Sequence, residues 1–129
     1  MNIPTDLKYT PNDEWIRVEG KVGTVGNTDY AQNALSDIVF VEIVVAVGDI
    51  VKKGDSAATL ESVKAAADVY MPVGGKIVAI NEDLPGKPET VNTDPYGDAW
   101  MVKVEVTDPG EVAALLDAAR YEKNTQEKG

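Results

Sequence analysis

The residue best placed to do chemistry is Lys64. It lies in Glu61-Ser62-Val63-Lys64-Ala65, followed by Ala66, Ala67 and Asp68. Gly48, next to Asp49, precedes it by 16 residues, and Gly75, next to Gly74, follows it by 11. Glycine suits sharp bends, because it tolerates positive φ and close approach of other backbone. The stretches Val51 to Val63 and Val69 to Ile80 are rich in β formers. They can fold about Lys64 as two arms with approximate twofold character, leaving the lysine at a hairpin tip. Small neighbours there (Ser62, Ala65, Ala66) leave the amine accessible. Propensity alone supports a different picture. Glu61 to Asp68 is rich in helix formers, and on a surface helix Lys64 would pair with Asp68 at i,i+4 as a solvated charge.

The rest of the composition narrows the chemistry. The chain of 129 residues contains no Cys and no His. Thiolate nucleophiles, disulfides, Ser-His-Asp triads and the usual zinc sites are excluded. Carboxylates, lysines, tyrosines and hydroxyls remain, a thin kit for an enzyme. Acidic residues number 22 against 12 basic ones, a formal net charge of -10, so nucleic acid is not an expected partner. An acidic surface favours basic docking faces on proteins, although plain solubility explains the charge more simply. The length and the 43% hydrophobic share fit a single domain over 1–129. No apolar run is long enough to span a membrane, and the N-terminus lacks a basic start followed by an apolar stretch. The expected location is the cytoplasm, or the mitochondrial matrix if a presequence has been removed.

The elements that must position Lys64 are short and mostly β. Trp15-Ile16-Arg17-Val18-Glu19 alternates in period two and turns at Gly20-Lys21 into Val22-Gly23-Thr24-Val25. Thr28 reads as an N-cap for a helix near 28–35, with Tyr30, Ala31, Ala34 and Leu35 as its apolar stripe. Ile38 to Val47 reads as a buried strand running into a bend near Gly48. Ile50-Val51, Ala57 to Val63, Val69-Tyr70-Met71 and Lys76 to Ile80 are further strands. Pro72 confines the third of these to an edge or a strand end. Asn81 to Asp98 is a long loop with one helical turn near Glu89 to Val91, and Trp100 to Val106 is a strand. A C-terminal helix near 109–119 is predicted from Asp108 as cap, Pro109 at the first position and Glu111 as a capping-box partner. Val112, Leu115, Leu116 and Ala119 form its predicted buried stripe. The tail 122–129 should fray.

Several segments then point the same way. They are Lys8-Tyr9-Thr10-Pro11, Glu14-Trp15, Val25-Gly26, Thr28-Asp29-Tyr30-Ala31-Gln32, Asp37-Ile38-Val39-Phe40-Val41-Glu42, Glu61-Ser62-Val63-Lys64-Ala65, Asn92-Thr93-Asp94-Pro95-Tyr96-Gly97 and Trp100. The glycine spacing about Lys64 is similar to that of lipoyl and biotinyl carrier domains. Biotin carriers usually place Met on both sides of the lysine, where Val63 and Ala65 stand here. The Thr-Asp-Tyr-Ala-Gln and Asp-Pro-Tyr segments lie outside a generic lipoyl domain. From about Leu7 to Tyr121 the chain resembles the glycine cleavage system H protein family. Four positions depart from the usual pattern: Asp13 where a His is common, Asn27 for an apolar residue, Ile43 to Val47 for a shorter segment, and Gly74 for a frequent Ser.

The resemblance implies a mainly β, lipoyl/biotinyl-type barrel-sandwich of short antiparallel strands, its lipoyl hairpin core at about 38–80. It implies lipoate in amide linkage on Lys64, with Glu61, Ser62, Val63, Ala65, Gly48 and Gly75 forming the hairpin that a lipoate ligase or lipoyl/octanoyl transferase recognises. The implied role is a non-catalytic shuttle. Glycine decarboxylase loads an aminomethyl group, the aminomethyltransferase removes it, and dihydrolipoamide dehydrogenase reoxidises the dithiol. In the family the loaded arm folds back into a surface cleft near the Glu-Trp motif, which points here to Asn12, Glu14 and Asp68. Trp15, Trp100, Tyr70 and Phe40 are expected as core or cleft wall, and Asp94-Pro95-Tyr96-Gly97 as a turn. Transient shuttling favours a monomer. The same lysine would serve a lipoyl-relay donor for 2-oxoacid dehydrogenases, and an unmodified acidic binding module also fits the composition.

Overall fold

A computed structural model describes residues 1–128, with side chains through Glu127. In chain order, β1 spans Lys8–Tyr9, β2 Glu14–Glu19, β3 Val22–Asn27, α1 Asp29–Leu35, β4 Ile38–Ile43, β5 Ile50–Val51 and β6 Ser56–Ser62. Then come β7 Ala66–Tyr70, β8 Gly75–Ile80, a 3-10 turn Leu84–Gly86, α2 Thr90–Thr93, β9 Val102–Val106, α3 Pro109–Ala113 and α4 Ala118–Lys128. Six strands make one antiparallel sheet in the order β1-β2-β3-β9-β8-β5, and three make a second in the order β4-β6-β7. This is the mainly β, short-stranded architecture expected from the sequence.

Alternating apolar residues hold the two sheets together. Val25, Ile77, Val102 and Val104 of the larger sheet share one buried cluster with Val41, Leu60 and Val69 of the smaller. Each strand presents every second side chain inward, so removal of apolar surface from water fixes both register and sheet contact. Gly75 is needed where β8 crosses closest to β9, since a Cβ there would collide with the Glu105 carbonyl oxygen. A second buried cluster, Leu7, Tyr9, Trp15 and Tyr121, joins the N-terminal hairpin to α4.

Several sequence expectations need correction. The apolar run 38–47 is not one buried strand. β4 stops at Ile43, and only Ile38 and Val41 of it are fully buried. A register shift between Ile38 and Phe40 turns both Val39 and Phe40 to the surface. Phe40 therefore lines an open groove with Ile43, Ile80 and Pro85 instead of the core. Ala34 is exposed. The capping of α1 is as predicted, with Thr28 Oγ1 accepting from Ala31 N at 3.2 Å.

The C-terminal helix is two helices. Between them Leu115 turns into the core, and Leu116 forms an antiparallel bridge with Tyr9 through two backbone bonds of 2.8 and 2.9 Å. The edge of β1 needs that partner, and a continuous helix would deny it. Asp117 restarts the helix by accepting from Arg120 N at 2.9 Å. Asp108 does cap α3, but Glu111 bonds Gly74 N at 2.9 Å instead of closing a capping box. Ala119 is exposed. The tail is helical through Lys128, with Gly129 outside the described residues, because Tyr121 and Thr125 on one face of α4 are buried.

Tyr121 is the anchor of that helix. Its ring stacks on Tyr9 with centroids 4.6 Å apart and planes 7° from parallel. Its hydroxyl donates to Asp13 Oδ1 at 2.9 Å and receives the Thr28 hydroxyl at 2.7 Å. Tyr121→Ala should cost roughly 3–5 kcal/mol in urea unfolding, as for a buried aromatic cut to Ala. A loss below about 1 kcal/mol would remove α4 from the cooperative unit. Burial is the main cause that pushes the Tyr9, Tyr96 and Tyr121 phenols up, Tyr96 to about 12. Their neutral forms are favoured in the fold. The stability they contribute should be complete below pH 10 and decline above it, the share of Tyr96 being lost as the pH rises from about 10 through about 12 and those of Tyr9 and Tyr121 later. Alkaline unfolding followed by tyrosinate absorbance and circular dichroism checks this, and the two signals should rise together.

Candidate functional site

Lys64 sits in the turn between β6 and β7. Next to the apex the ladder is symmetric about the Val63-Lys64 pair, with Glu61 facing Ala66 and Thr59 facing Asp68; farther out, beyond a register shift between Ser56 and Ala58, the pairing is one residue off, and Ile50 of β5 faces Lys76 of β8. Both arms thus fold back on each other with the lysine at the apex. The helical alternative is excluded, because Asp68 is a strand residue whose carboxylate accepts from Thr59 Oγ1 at 3.2 Å.

Ser62 shapes the apex. Neither Val63 nor Lys64 has positive φ, so the tight mirror-image turns favoured by two-residue hairpins are not used. Instead the Ser62 hydroxyl accepts from Lys64 N at 3.1 Å and Ala65 N at 2.9 Å, and donates to the Ala65 carbonyl at 3.1 Å. Ser62 N adds a bond to the same carbonyl at 2.8 Å, and Val63 N bonds the Asp37 carbonyl at 3.1 Å. The backbone at the lysine is therefore fixed, while Glu61, Val63, Lys64, Ala65 and Ala66 are all exposed. The result is an exposed lysine side chain on a hydrogen-bonded mount.

The predicted glycines sit where their spacing placed them. Gly48, at φ 97, ends the approach to β5 and donates to the Ile77 carbonyl at 2.8 Å. Gly75 starts β8, packed against β9. Gly48 precedes the first arm, and Gly75 lies within the second, between β7 and the rest of β8.

β7 leads from the lysine to a cleft. Ala66, Asp68 and Tyr70 alternate on its exposed face. Tyr70 forms one wall of a cavity of about 260 Å³ whose other walls include Tyr9, Thr10, Pro11, Asn12, Glu14, Lys53 and Leu116. Six residues separate Lys64 from Tyr70, at most about 20 Å of extended chain, so the cavity lies at the end of β7 away from the apex. Of the three predicted cleft residues, Asn12 and Glu14 line this cavity. Asp68 does not line it, but lies on the strand face between apex and cleft.

Glu14 is 2% exposed, although sequence reasoning treats such acids as surface residues. A buried carboxylate needs polar partners. Thr10 Oγ1 bonds Glu14 Oε1 at 2.5 Å, and Tyr70 N approaches Oε2 at 3.4 Å. The local chain conformation explains the placement. Thr10 to Asp13 is a turn closed by Asp13 N to the Thr10 carbonyl at 3.2 Å, with Pro11 at its second position and Asp13 at φ 71. A turn followed by a left-handed residue is a standard three-residue hairpin loop. Asp tolerates that conformation, and the Tyr121 hydroxyl holds its side chain. Sequence reasoning gave Thr10 and Lys53 no cleft role. The Thr-Pro-Asn-Asp loop signal before Glu14 was the available clue for Thr10.

Trp15 is structural, as expected. Its Nε1 donates to the Asn27 and Pro95 carbonyls at 3.0 Å each, which ties the Asp94-Pro95-Tyr96-Gly97 turn to β2. Among the described residues no group of His, Cys, Asp and Glu is arranged to hold a metal ion.

Comparison with known proteins agrees with this geometry. The family model described as glycine cleavage H-protein matches residues 7–128. A glycine cleavage system H protein of Carboxydothermus hydrogenoformans is 50% identical over 127 residues, covering 98% of this chain and 97% of that protein. One of Laribacter hongkongensis is 53% identical over 123 residues, covering 95% and 96%. A crystal structure of a glycine cleavage system H protein from Mycobacterium marinum superposes with a TM-score of 0.86 at 37% identity, covering 96% of this chain and 99% of that one. Match length, identity and fold together establish that the chain belongs to the glycine cleavage H-protein family.

Proposed function

We propose that this chain is the lipoyl carrier of the glycine cleavage system, with lipoate attached to Lys64 through an amide. The observation that carries the reading is the exposed lysine at the apex of two paired β arms, on a backbone fixed by Ser62. When bound, lipoate supplies a disulfide that takes up the aminomethyl group derived from glycine. The residues present fit such a group. A lipoyl-lysine arm reaches roughly 14 Å from bond lengths alone, enough to lie along Ala66 and Asp68 toward the cleft.

The chain's own residues then present and protect. Rigid mounting with a flexible arm turns encounter with each partner into an effectively intramolecular delivery. The partners are glycine decarboxylase, the aminomethyltransferase and dihydrolipoamide dehydrogenase, with a lipoate ligase or lipoyl/octanoyl transferase for attachment. In the cleft, the Glu14 carboxylate faces the place where a cationic amine would rest, and the apolar walls Tyr9, Met71 and Leu115 keep water back. Asp68 offers a second carboxylate on the way in. The hard chemistry belongs to the cofactor and the partner enzymes. Among the described residues no helix is long and apolar enough to cross a membrane.

Intact-mass analysis of protein made with a competent ligase tests the attachment. Wild type should be heavier by one lipoyl group and Lys64→Arg should not; an unmodified wild type sinks the assignment. Ser62→Ala should weaken the turn by about 1 kcal/mol, speeding amide exchange at Lys64 and Ala65 and slowing lipoylation. Unchanged exchange would mean that the hydroxyl does not organise the apex. Glu14→Gln should speed loss of the aminomethyl cargo about tenfold, measured as formaldehyde release without the transferase. Equal rates would remove Glu14 from the protective role.

A further inference from the structure

Thr10 occupies a more constrained position than a loop threonine needs. Its Oγ1 lies 3.2 Å from Asn12 N and 3.2 Å from Glu14 N, both of which can only donate. These two bonds fill the acceptor capacity of a hydroxyl. The Thr10 proton is therefore directed to its remaining neighbour, Glu14 Oε1, 2.5 Å away. That length falls in the range of a hydroxyl bonded to a carboxylate, the stronger class of hydrogen bond. Thr10 is itself 6% exposed, lines the same cavity, and is held by backbone bonds from Thr10 N to the Glu14 carbonyl and from Asp13 N to its own carbonyl.

We infer that Thr10 is a positioning residue for the cleft carboxylate: its oriented hydroxyl fixes one oxygen of Glu14, and so sets the direction in which the carboxylate meets a cationic cargo. This inference rests on the protective role of Glu14 given above and deepens it. Glu14 stands at the start of β2 with its backbone already committed to the hairpin. The remaining freedom is rotation of the side chain. Thr10 on one oxygen, together with Tyr70 N on the other, restricts that freedom without adding charge to the cleft. Ser shares the hydroxyl and should substitute; Val has the same shape without it.

The experiment compares wild type, Thr10→Val, Thr10→Ala, Thr10→Ser and Glu14→Gln. In the unmodified proteins the Glu14 carboxyl resonance is followed by NMR with 13C-labelled glutamate, beside urea unfolding as a check of the fold. In the lipoylated proteins, loaded by glycine decarboxylase, spontaneous release of formaldehyde and ammonia is timed. The expected result is release about tenfold faster in Thr10→Val and Thr10→Ala, wild-type release in Thr10→Ser, and a Glu14 carboxyl resonance displaced in the first two alone. If Thr10→Val and Thr10→Ala release at the wild-type rate while Glu14→Gln is fast, Thr10 has no positioning role and the cleft reading stands. If Thr10→Ser is as fast as Thr10→Val, the methyl group and not the hydroxyl matters, and the inference fails. If Glu14→Gln is also unchanged, the cleft reading falls and the Thr10 role with it. Should Thr10→Val not fold, the Thr10→Ala and Thr10→Ser pair and the carboxyl resonance decide.

Discussion

Everything functional in this molecule depends on one stretch of antiparallel hydrogen bonding, the ladder that β6 and β7 form on either side of Val63 and Lys64. The ladder fixes which side chains face outward. A slip of one residue would turn Ala66, Asp68 and Tyr70 into the core and Val69 out of it. The burial of Leu60 and Val69 therefore does more than stabilise the sheet. It selects the register that puts the lysine at the apex and a continuous exposed path beside it. Ser62 completes the arrangement by accepting from Ala65 N through its side chain, where an ordinary β-turn uses the backbone carbonyl of its first residue.

The hairpin was legible in the sequence because its signals are strong and redundant: β formers in both arms, glycines at the bends and small residues at the tip. Helix propensity in the Ala-rich segment pointed elsewhere and lost, since the flanking strands already pair and leave two residues to make the reversal. The C-terminal region was legible only in part. Asp108 and Pro109 announce where a helix begins, but no local pattern announces that Leu116 must leave it to satisfy the edge of β1. That demand comes from Tyr9, far away in the chain. Tyr121 and Thr125 bury one face of α4, and a sequence pattern that counts only apolar residues does not see a threonine as core.

The cleft was harder to read for a related reason. A glutamate looks like surface until its neighbours are known, and Glu14 is buried by a loop whose conformation depends on Asp13 being left-handed. Resemblance to the family supplied Asn12, Glu14 and Asp68 as candidates. The structure separates them, with two on the cavity wall and one on the approach. Thr10, marked in the sequence only by the loop signal before Glu14, holds three hydrogen bonds through its hydroxyl.

The bridge between Tyr9 and Leu116 gives the molecule an uneven robustness. One wall of the cavity is built by segments near opposite chain ends, whereas the lysine turn is built by neighbours in sequence. Openings that begin at a terminus reach the first and spare the second. Partial wear at the C-terminus would thus open the cavity and spare the Lys64 turn: under the proposed function, what fails first is storage, not transport.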